Sequence, residues 1–460
     1  MRLCPVMRIS QVSAIAMIAA AGLATPAHAQ NADSAAMQAE LQAMRAQMQA
    51  MAARIDSLEG QLVTAQAKAD AATATSTTAL ATAEAAKSDT TIKWKGAPLI
   101  ESKSGWSFKP RGRMQYDAGV ISAPSSTGVE DGFGEEARRI RLGVEGDIPG
   151  GFGYKFEVDF AGNEVEVSDA MLTYKDGGLT VAFGQQNNFQ SMEELTSSRF
   201  TSFMERAAFT DAFGFERRVG ASASFHSGDM LAQGGVFTDN MSDTSNDQWG
   251  ADGRIVFMPK MGETQLHLGG SVHYTDLDGD LANVRYRQRP FVHFTGTRFI
   301  DTRSFGAAKE TGYGLEAAAI RGPFHVAGET FWQSVSRPGL ADPTFFGAYA
   351  EVGMFLTKGD TRGYKGGIFD RVKPANPVDK GGMGAIQVNL RYDRLDLTDA
   401  GIVGGKQDGY AMSVIWTPTD YTRFMLNYGR MDYTDAAIAA ANGDKSYAVD
   451  AFGARAQIDF

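Results

Sequence analysis

The chain has 460 residues, 52 of them glycine and 28 phenylalanine, and its formal net charge at pH 7 is −10. This acidic balance argues against nucleic acid as a partner, because binding to a phosphate backbone requires clustered basic residues. Beyond residue 30 there is no run of about eighteen apolar residues, so the sequence predicts no transmembrane helix. A large soluble domain and a membrane barrel both remain compatible with this composition.

Residues 1–29 have the arrangement of a secretory signal peptide. Arg2 and Arg8 form a basic start, an apolar run follows over residues 9–23, and Ala27-His28-Ala29 provides a small-residue cleavage site. A short buried helix is the alternative, but it does not explain this order of features. The only cysteine, Cys4, lies in this segment, so the mature chain is predicted to have neither disulfides nor thiol chemistry.

Residues 30–91 are predicted to form an α-helical coiled coil followed by a linker. Apolar residues recur at alternating spacings of four and three, which is the a/d pattern of a heptad repeat. They are Met37, Leu41, Met44, Met48, Met51, Ile55, Leu58 and Leu62. A solvated alanine-rich helix is the alternative, but eight hydrophobes in register favour self-association. After Ala72 the Thr/Ala-rich composition predicts a looser linker.

From Ile92 to Phe460 the sequence predicts a barrel of alternating strands. In Ser107–Val120, one parity is apolar, whereas the other carries Lys109, Arg111 and Arg113. Because side chains alternate between the two faces of a strand, one face is apolar and the other is charged. Three basic residues in a row need a watery space, and a membrane barrel with a water-filled lumen provides one.

The same alternation recurs along the rest of the chain and gives sixteen candidate strands, an even number that suits a bacterial barrel. The last of them ends on Phe460, a terminal aromatic residue that resembles the signal for outer-membrane assembly. The predicted fold class is therefore all-β, a 16-stranded antiparallel transmembrane β-barrel preceded by the coiled coil. The barrel would lie in the outer membrane of a Gram-negative bacterium, in contact with its lipids, with the coiled coil in the periplasm.

Residues 186–211 interrupt this rhythm. The segment does not alternate and is too long for a plain hairpin. Five apolar residues within it predict that it packs against something rather than lying free on the surface. Counted from a periplasmic N-terminus it is the third external loop, and the expected role is a constriction loop that folds into the lumen.

Five stretches resemble the phosphate-selective porin O and P family: FKPRGRMQYDAG (108–119), EARRIRLGVEGDIPGGFGYKFEVDF (136–160), DAMLTYKDGG (169–178), EELTSSRFTSFMERAAF (193–209) and FDRVKPANP (369–377). The resemblance implies a homotrimer whose lumen carries a row of arginines and a periplasmic group of lysines. It also implies that Asp169 is the acid beside the anion site.

Carried over by motif, the implied anion path comprises Arg113, Arg138, Arg139, Lys155, Arg199 and Arg206, and the periplasmic lysine cluster comprises Lys93, Lys95, Lys103 and Lys109. Strand parity supports a lumenal position for Arg113, Arg139 and Lys155. Parity places Arg138 on the opposite face unless a bulge turns it inward. Guanidinium groups suit such a path because they offer forked, permanently charged donors to phosphate oxygens.

The constriction loop departs from the family pattern, since Glu193, Glu194 and Glu205 accompany its two arginines. If these carboxylates face the pore, they oppose phosphate selectivity. If Ser191 and Glu194 cap a short helix, as their spacing allows, the acids have a structural role.

The sequence thus predicts a channel for small anions, inorganic phosphate or polyphosphate, without catalysis, cofactor or metal. The first alternative is a weakly selective porin for other small solutes. A second alternative is that facing arginines and acids pair across strands and only fill the wall. An outer-membrane enzyme is a third possibility, because His267 and His273 point into the lumen, but no nucleophile motif accompanies them. A structural tether is the fourth.

Overall fold

The computed structural model describes residues 32–130, 132–162, 165–243, 248–277 and 282–460. The predicted signal peptide, residues 1–29, lies outside them. The chain divides into two units, Met1–Ala86 and Lys87–Phe460.

Helix α1 spans Ala32–Asp89. The prediction of a looser linker after Ala72 is wrong, because the helix continues without a break. Alanine has the highest helix propensity, and the threonines of this region bond back to the carbonyl four residues earlier, as Thr73 does to Ala69 at 2.8 Å. All eight heptad hydrophobes are exposed on this single chain, from 50% for Leu41 to 69% for Leu62. No described helix is long and apolar enough to span a membrane.

The second unit is a β-structure. In chain order its strands are β1 (Thr90–Lys95), β2 (Ala97–Ser102), β3 (Ser107–Ser122), β4 (Gly132–Ile148), β5 (Phe152–Asp159), β6 (Glu166–Asp176), β7 (Leu179–Asn187), β8 (Arg217–Ser227), β9 (Met230–Phe237), β10 (Trp249–Phe257), β11 (Lys260–Met261), β12 (Thr264–Asp276), β13 (Ala282–Val284), β14 (Arg287–Gln288), β15 (Ile300–Asp301), β16 (Phe305–Ala307), β17 (Lys309–Arg321), β18 (Phe324–Ser336), β19 (Thr344–Phe355), β20 (Gly363–Lys365), β21 (Ile368–Asp370), β22 (Ala385–Asp399), β23 (Ile402–Thr419), β24 (Thr422–Thr434) and β25 (Tyr447–Asp459). Two short helices, α2 (Met192–Leu195) and α3 (Ala208–Ala212), lie between β7 and β8.

Sixteen antiparallel strands of the described chain form a closed barrel, which confirms the predicted barrel and its strand number. They are β3 to β10, β12, β17 to β19 and β22 to β25. The ring closes where β25 pairs with β3, in the register Ala454↔Ala118. The backbone of Phe460 continues this pairing, because its N–H donates to the carbonyl of Gly112 at 3.0 Å.

The wall begins at Ser107 rather than at Ile92. Strands β1 and β2 pair with each other along their whole length, and β2 adds only two residue pairs to β3. Residues 90–102 are thus a hairpin attached to the barrel, outside its closed ring.

The strand alternation decides which side chains face inward. On β3, Met114 is 49% exposed on the outer surface, whereas Arg113 and Asp117 are buried inside. The turn Pro149-Gly150-Gly151 lets β4 reverse into β5, since both glycines have φ near +90° and a Cβ on Gly151 would lie 2.6 Å from the carbonyl oxygen of Lys175.

Three segments fold into the barrel. The constriction loop, predicted over residues 186–211, occupies residues 188–216 and joins β7 to β8; the long loop, described at residue 277 and over residues 282–308, joins β12 to β17 at the same end. The inner hairpin, residues 361–371, contains β20 and β21 and enters from the opposite end, between β19 and β22. Phe209, Phe299 and Phe369, one from each segment, belong to one apolar core with wall residues such as Phe331.

Candidate anion pathway

The constriction loop begins with a capped turn. Ser191 is the N-cap of α2, and its hydroxyl accepts a hydrogen bond from the N–H of Glu194 at 3.3 Å. The Ser191–Glu194 spacing predicted this cap. Further along, α3 approaches the wall so closely that a Cβ on Gly347 would lie 2.3 Å from the Cβ of Phe209. Glycine at this position on β19 makes room for the loop.

Carboxylates on one side of the wall hold the backbone N–H groups of the loop. Glu329 on β18 accepts bonds from the N–H groups of Met192 at 3.0 Å and Glu193 at 2.7 Å, and from the Ser191 hydroxyl at 2.8 Å. Asp393 on β22 accepts a bond from the N–H of Ala208 at 2.9 Å. These acids are buried and occupied by the loop.

Arginines on two nearby strands of the wall hold the carbonyl groups of the loop. Arg423 on β24 donates to the carbonyls of Arg199 at 3.0 Å and Thr201 at 2.5 Å. Arg455 on β25 donates to the carbonyl of Met204 at 2.8 Å. The loop is therefore held through its N–H groups by acids on β18 and β22, and through its carbonyl groups by arginines on β24 and β25.

The predicted path residues Arg113, Arg139 and Lys155 all point inward. Arg113 donates to the Ser198 hydroxyl at 2.7 Å and lies 3.5 Å from Glu157. Arg139 is 8% exposed and donates to Gln115 at 3.0 Å, and it forms no ion pair with a described carboxylate. Lys155 contacts Asp169 at 2.5 Å.

Asp169 is buried and links two cations. Its second oxygen accepts a bond from Arg217 at 2.9 Å, so the acid is shared between Lys155 and Arg217. Asp169 thus lies between two cations, and its place beside an anion site stays a prediction.

Arg138 also points inward, against strict alternation. The register of β3 and β4 pairs Gln115 with Arg139 but Tyr116 with Ala137, so Arg138 is the extra residue of a β-bulge. The bulge turns its guanidinium to Glu205 of the constriction loop, with bonds of 3.1 and 3.2 Å. Parity alone therefore misplaced this residue.

The two loop arginines have different surroundings. Arg206 donates to the carbonyls of Glu193, Glu194 and Thr196 at 2.9 to 3.1 Å and lies 3.3 Å from the Glu194 carboxylate. It stabilises the fold of the loop. Arg199 lies 3.4 Å from Asp459 on β25 and over the ring of Phe200.

The loop carboxylates differ in their electrostatic environment. Burial disfavours the charge of Glu205, but Arg138 and Arg455 outweigh it and hold the pKa of that carboxyl well below its usual range. Burial raises the pKa of Glu194, although Arg206 and Arg217 oppose the shift. Glu193 contacts Arg391 of β22 at 2.7 Å. These three acids are engaged in structural contacts.

The predicted lysine cluster is only partly brought together. Lys93 and Lys95 are exposed on β1, and Lys93 contacts Glu101 of β2 at 2.5 Å. Lys103 is exposed in the turn that follows β2. Lys109 alone lies on the barrel wall, on the inward face of β3.

A cavity of about 290 Å³, here called the outer cavity, lies between β4, the constriction loop and the long loop. Its lining mixes both signs of charge. The arginines are Arg138, Arg139, Arg141, Arg206, Arg217 and Arg289, and the acids are Glu166, Glu194, Glu205, Asp211 and Glu216.

A family model described as Phosphate-selective porin O and P matches residues 108–460, which is the whole barrel wall but one residue. The chain belongs to the phosphate-selective porin O and P family. Family and fold indicate an outer-membrane porin channel rather than an enzyme.

Other proteins are similar to this porin in sequence or in fold. An uncharacterized protein of Caulobacter vibrioides is 48% identical over 390 residues, which cover 82% of this chain and 78% of that protein. Among solved structures, the anion-selective porin from Comamonas acidovorans has a TM-score of 0.53 at 14% identity, covering 77% of this chain and 100% of the other. OmpT of Vibrio cholerae has a TM-score of 0.52 at 11% identity, covering 79% and 100%. At these identities the structural similarity shows the fold alone.

Sequence reasoning missed the inner hairpin of this porin. Arg254 donates to the carbonyl of Gly367 at 2.8 Å, and the N–H of Phe369 donates to Thr196 of the constriction loop at 3.3 Å. Arg362 donates to the carbonyl of Phe200 in the same loop. The available signal was the length of the segment between Leu356 and Gly384, which is too long for a plain turn.

The lumenal histidines of this porin are structural. His273 contacts Asp252 and Thr275, and His267 contacts Tyr364 of the inner hairpin at 2.7 Å. Among the described residues, no group of three or more histidine, cysteine, aspartate or glutamate side chains is placed to hold a metal ion.

Proposed function

We propose that this chain forms a water-filled channel for small anions, inorganic phosphate or polyphosphate among them, along its lumenal arginines and lysines. The observation that carries the proposal is the position of Arg139. It lines the outer cavity, it is one residue from the bulge that turns Arg138 inward, and it has no described carboxylate partner. A guanidinium of this kind can replace the water that an anion loses on entering a narrow pore.

A weakly selective porin is the second candidate, and the extent of ion pairing favours it. Arg141 lies 2.6 Å from Asp159, Lys155 lies 2.5 Å from Asp169, and Arg138 lies 3.1 Å from Glu205. Paired cations attract a passing dianion less than free ones do, because each carboxylate cancels much of the field of its partner. Chloride and phosphate would then differ little in permeation.

The functional unit we propose is a homotrimer in the outer membrane, with α1 in the periplasm. The exposed heptad stripe from Met37 to Leu62 supports self-association, since burial against other copies removes these apolar side chains from water. The exposed outer residues of the wall, such as Leu142, Phe183 and Leu315, are suited to lipid contact.

The test is the reversal potential of the purified protein in a planar bilayer under a salt gradient, with phosphate titrated against chloride. We expect an anion-selective potential and a smaller one in Arg139→Gln. Arg321→Gln is the matched control, because Arg321 is exposed at the C-terminal end of β17, and it should leave the potential unchanged. A cation-selective potential, or equal potentials in all three proteins, contradicts the arginine path. Block of chloride current by phosphate separates a phosphate channel from a weakly selective one.

A further inference from the structure

The outer cavity carries opposite charges on two sides. Arg138, Arg139 and Arg141 come from β4, whereas Glu166 begins β6 and Glu216 immediately precedes β8. Neighbouring strands lie about 4.7–4.9 Å apart, so β4 and β6 are separated by roughly 10 Å across β5. The arginines of β4 and these two glutamates therefore face one space without being in contact with each other.

Most charges of the outer cavity are already paired. As described above, Glu205 pairs with Arg138, and Glu194 pairs with Arg206. Asp169 pairs with Arg217, and Asp211 lies 3.7 Å from Arg289. The cavity charges that have no described ion-pair partner are Arg139 on one side, and Glu166 and Glu216 on the other. What is left is one positive group facing two negative groups.

Other acids disfavour the negative charge of Glu216. Reduced contact with water raises the pKa of Glu216, Arg218 opposes that effect, and the carboxylates of Asp239, Glu166 and Glu194 raise the pKa further. Such mutual repulsion is relieved when a positive group binds between the carboxylates.

A neutral side chain of the cavity also lacks a partner. Gln288 on β14 is 2% exposed, and its Oε1 accepts no hydrogen bond from a described residue. An unsatisfied buried acceptor is costly, and an ammonium group offers up to three donors to satisfy it. A phosphate dianion has at most one proton to donate.

We propose that the outer cavity binds small zwitterions, which are solutes with one carboxylate and one ammonium group, such as amino acids and dipeptides. Arg139 receives the carboxylate, and Glu166, Glu216 and Gln288 receive the ammonium group. The proposal rests on the channel function proposed above and names a substrate class for it. At about 290 Å³ the cavity is near the lower end of the roughly 300–1,000 Å³ found for small-molecule sites. A phosphate dianion would also contact Arg139, but the two glutamates would weaken its binding, so zwitterions should be preferred in this cavity.

The experiment compares two solutes of similar size in a liposome swelling assay with the full-length protein. At pH 6, below the α-amino pKa of about 7.7–8.0, glycylglycine is a zwitterion and N-acetylglycine is an anion. We expect the ratio of glycylglycine to N-acetylglycine flux to fall about tenfold in the double variant Glu166→Gln/Glu216→Gln, the factor that corresponds to losing one charge-assisted contact. Glu263→Gln, in an exposed turn at the opposite end of the barrel, is the matched control.

An unchanged flux ratio in the double variant, or an equal fall in Glu263→Gln, overturns the zwitterion site while leaving the channel intact. Absence of N-acetylglycine flux through the wild-type protein overturns the channel function instead. Folding of each variant is checked by heat-modifiable migration of the barrel, so that a lost flux is not mistaken for a changed preference.

Discussion

Glu329 on β18 is the residue whose loss should most directly free the constriction loop. Its two carboxylate oxygens accept hydrogen bonds from two successive backbone N–H groups, Met192 to one oxygen and Glu193 to the other. The Ser191 and Tyr349 hydroxyls donate to the same group at 2.8 and 3.0 Å. In Glu329→Gln, only one oxygen remains, so one backbone N–H must face the new amide NH₂.

The size of the effect follows from that single lost acceptor. A buried donor left without its acceptor costs about 1–3 kcal/mol, and about 1.4 kcal/mol corresponds to a tenfold change in an equilibrium. The undocked population of the loop should therefore rise about 5- to 150-fold in Glu329→Gln. In Glu329→Ala, both backbone donors lose their acceptor, and the free energy of docking should fall by about 2–6 kcal/mol.

Single-channel recording measures this population directly. We expect Glu329→Gln to show frequent transitions to a larger, noisier conductance, and Glu329→Ala to remain mostly in that state. Glu263→Gln controls for the change of charge. A quiet conductance of wild-type size in both Glu329 variants would refute the idea that this carboxylate docks the loop.

Two further predictions concern other parts of the chain. Deleting residues 32–89 should lower the temperature at which the proposed trimer dissociates in detergent, because the exposed heptad stripe is lost. The triple change Leu41→Glu/Ile55→Glu/Leu58→Glu should do the same. An unchanged dissociation temperature in both variants would give α1 another role. Lowering the pH should raise the ratio of anion to cation permeability. The pKa of Glu216 is raised, so this acid loses its negative charge at a higher pH than a free glutamate does. Glu216→Gln should therefore reduce the pH-dependent shift in reversal potential.

The wall of the barrel could be predicted from the sequence because strand alternation is a local property. One apolar and one charged parity, as on β3, place Met114 outside and Arg113 inside with no knowledge of the neighbours. The same rule failed at Arg138, where one extra residue in β4 reverses the parity. A bulge depends on the register of two strands, and single-strand patterns do not contain that information.

The contents of the lumen could not be predicted in the same way. The inner hairpin reaches Thr196 and Phe200 of the constriction loop from more than 160 positions away in the chain. Nor could composition distinguish free from paired charges. The cap that Ser191 makes on the N–H of Glu194 could be predicted from their spacing of three residues, but the contact of the Glu194 carboxylate with Arg206 depends on the fold of the whole loop.

We expect the ion preference of this porin to follow from the charges that folding leaves unpaired, which neither the net charge nor the number of lumenal arginines reports. The chain carries −10 overall, yet Arg423 and Arg455 bind loop carbonyls, and Glu329 and Asp393 bind loop N–H groups. Such groups shape the lumen, because they fix the path of the constriction loop, but their hydrogen-bonding capacity is directed to protein rather than to solute. Since a solute exchanges its water only for donors and acceptors that are still free, one unpaired guanidinium at Arg139 should influence selectivity more than several arginines that hold the loop.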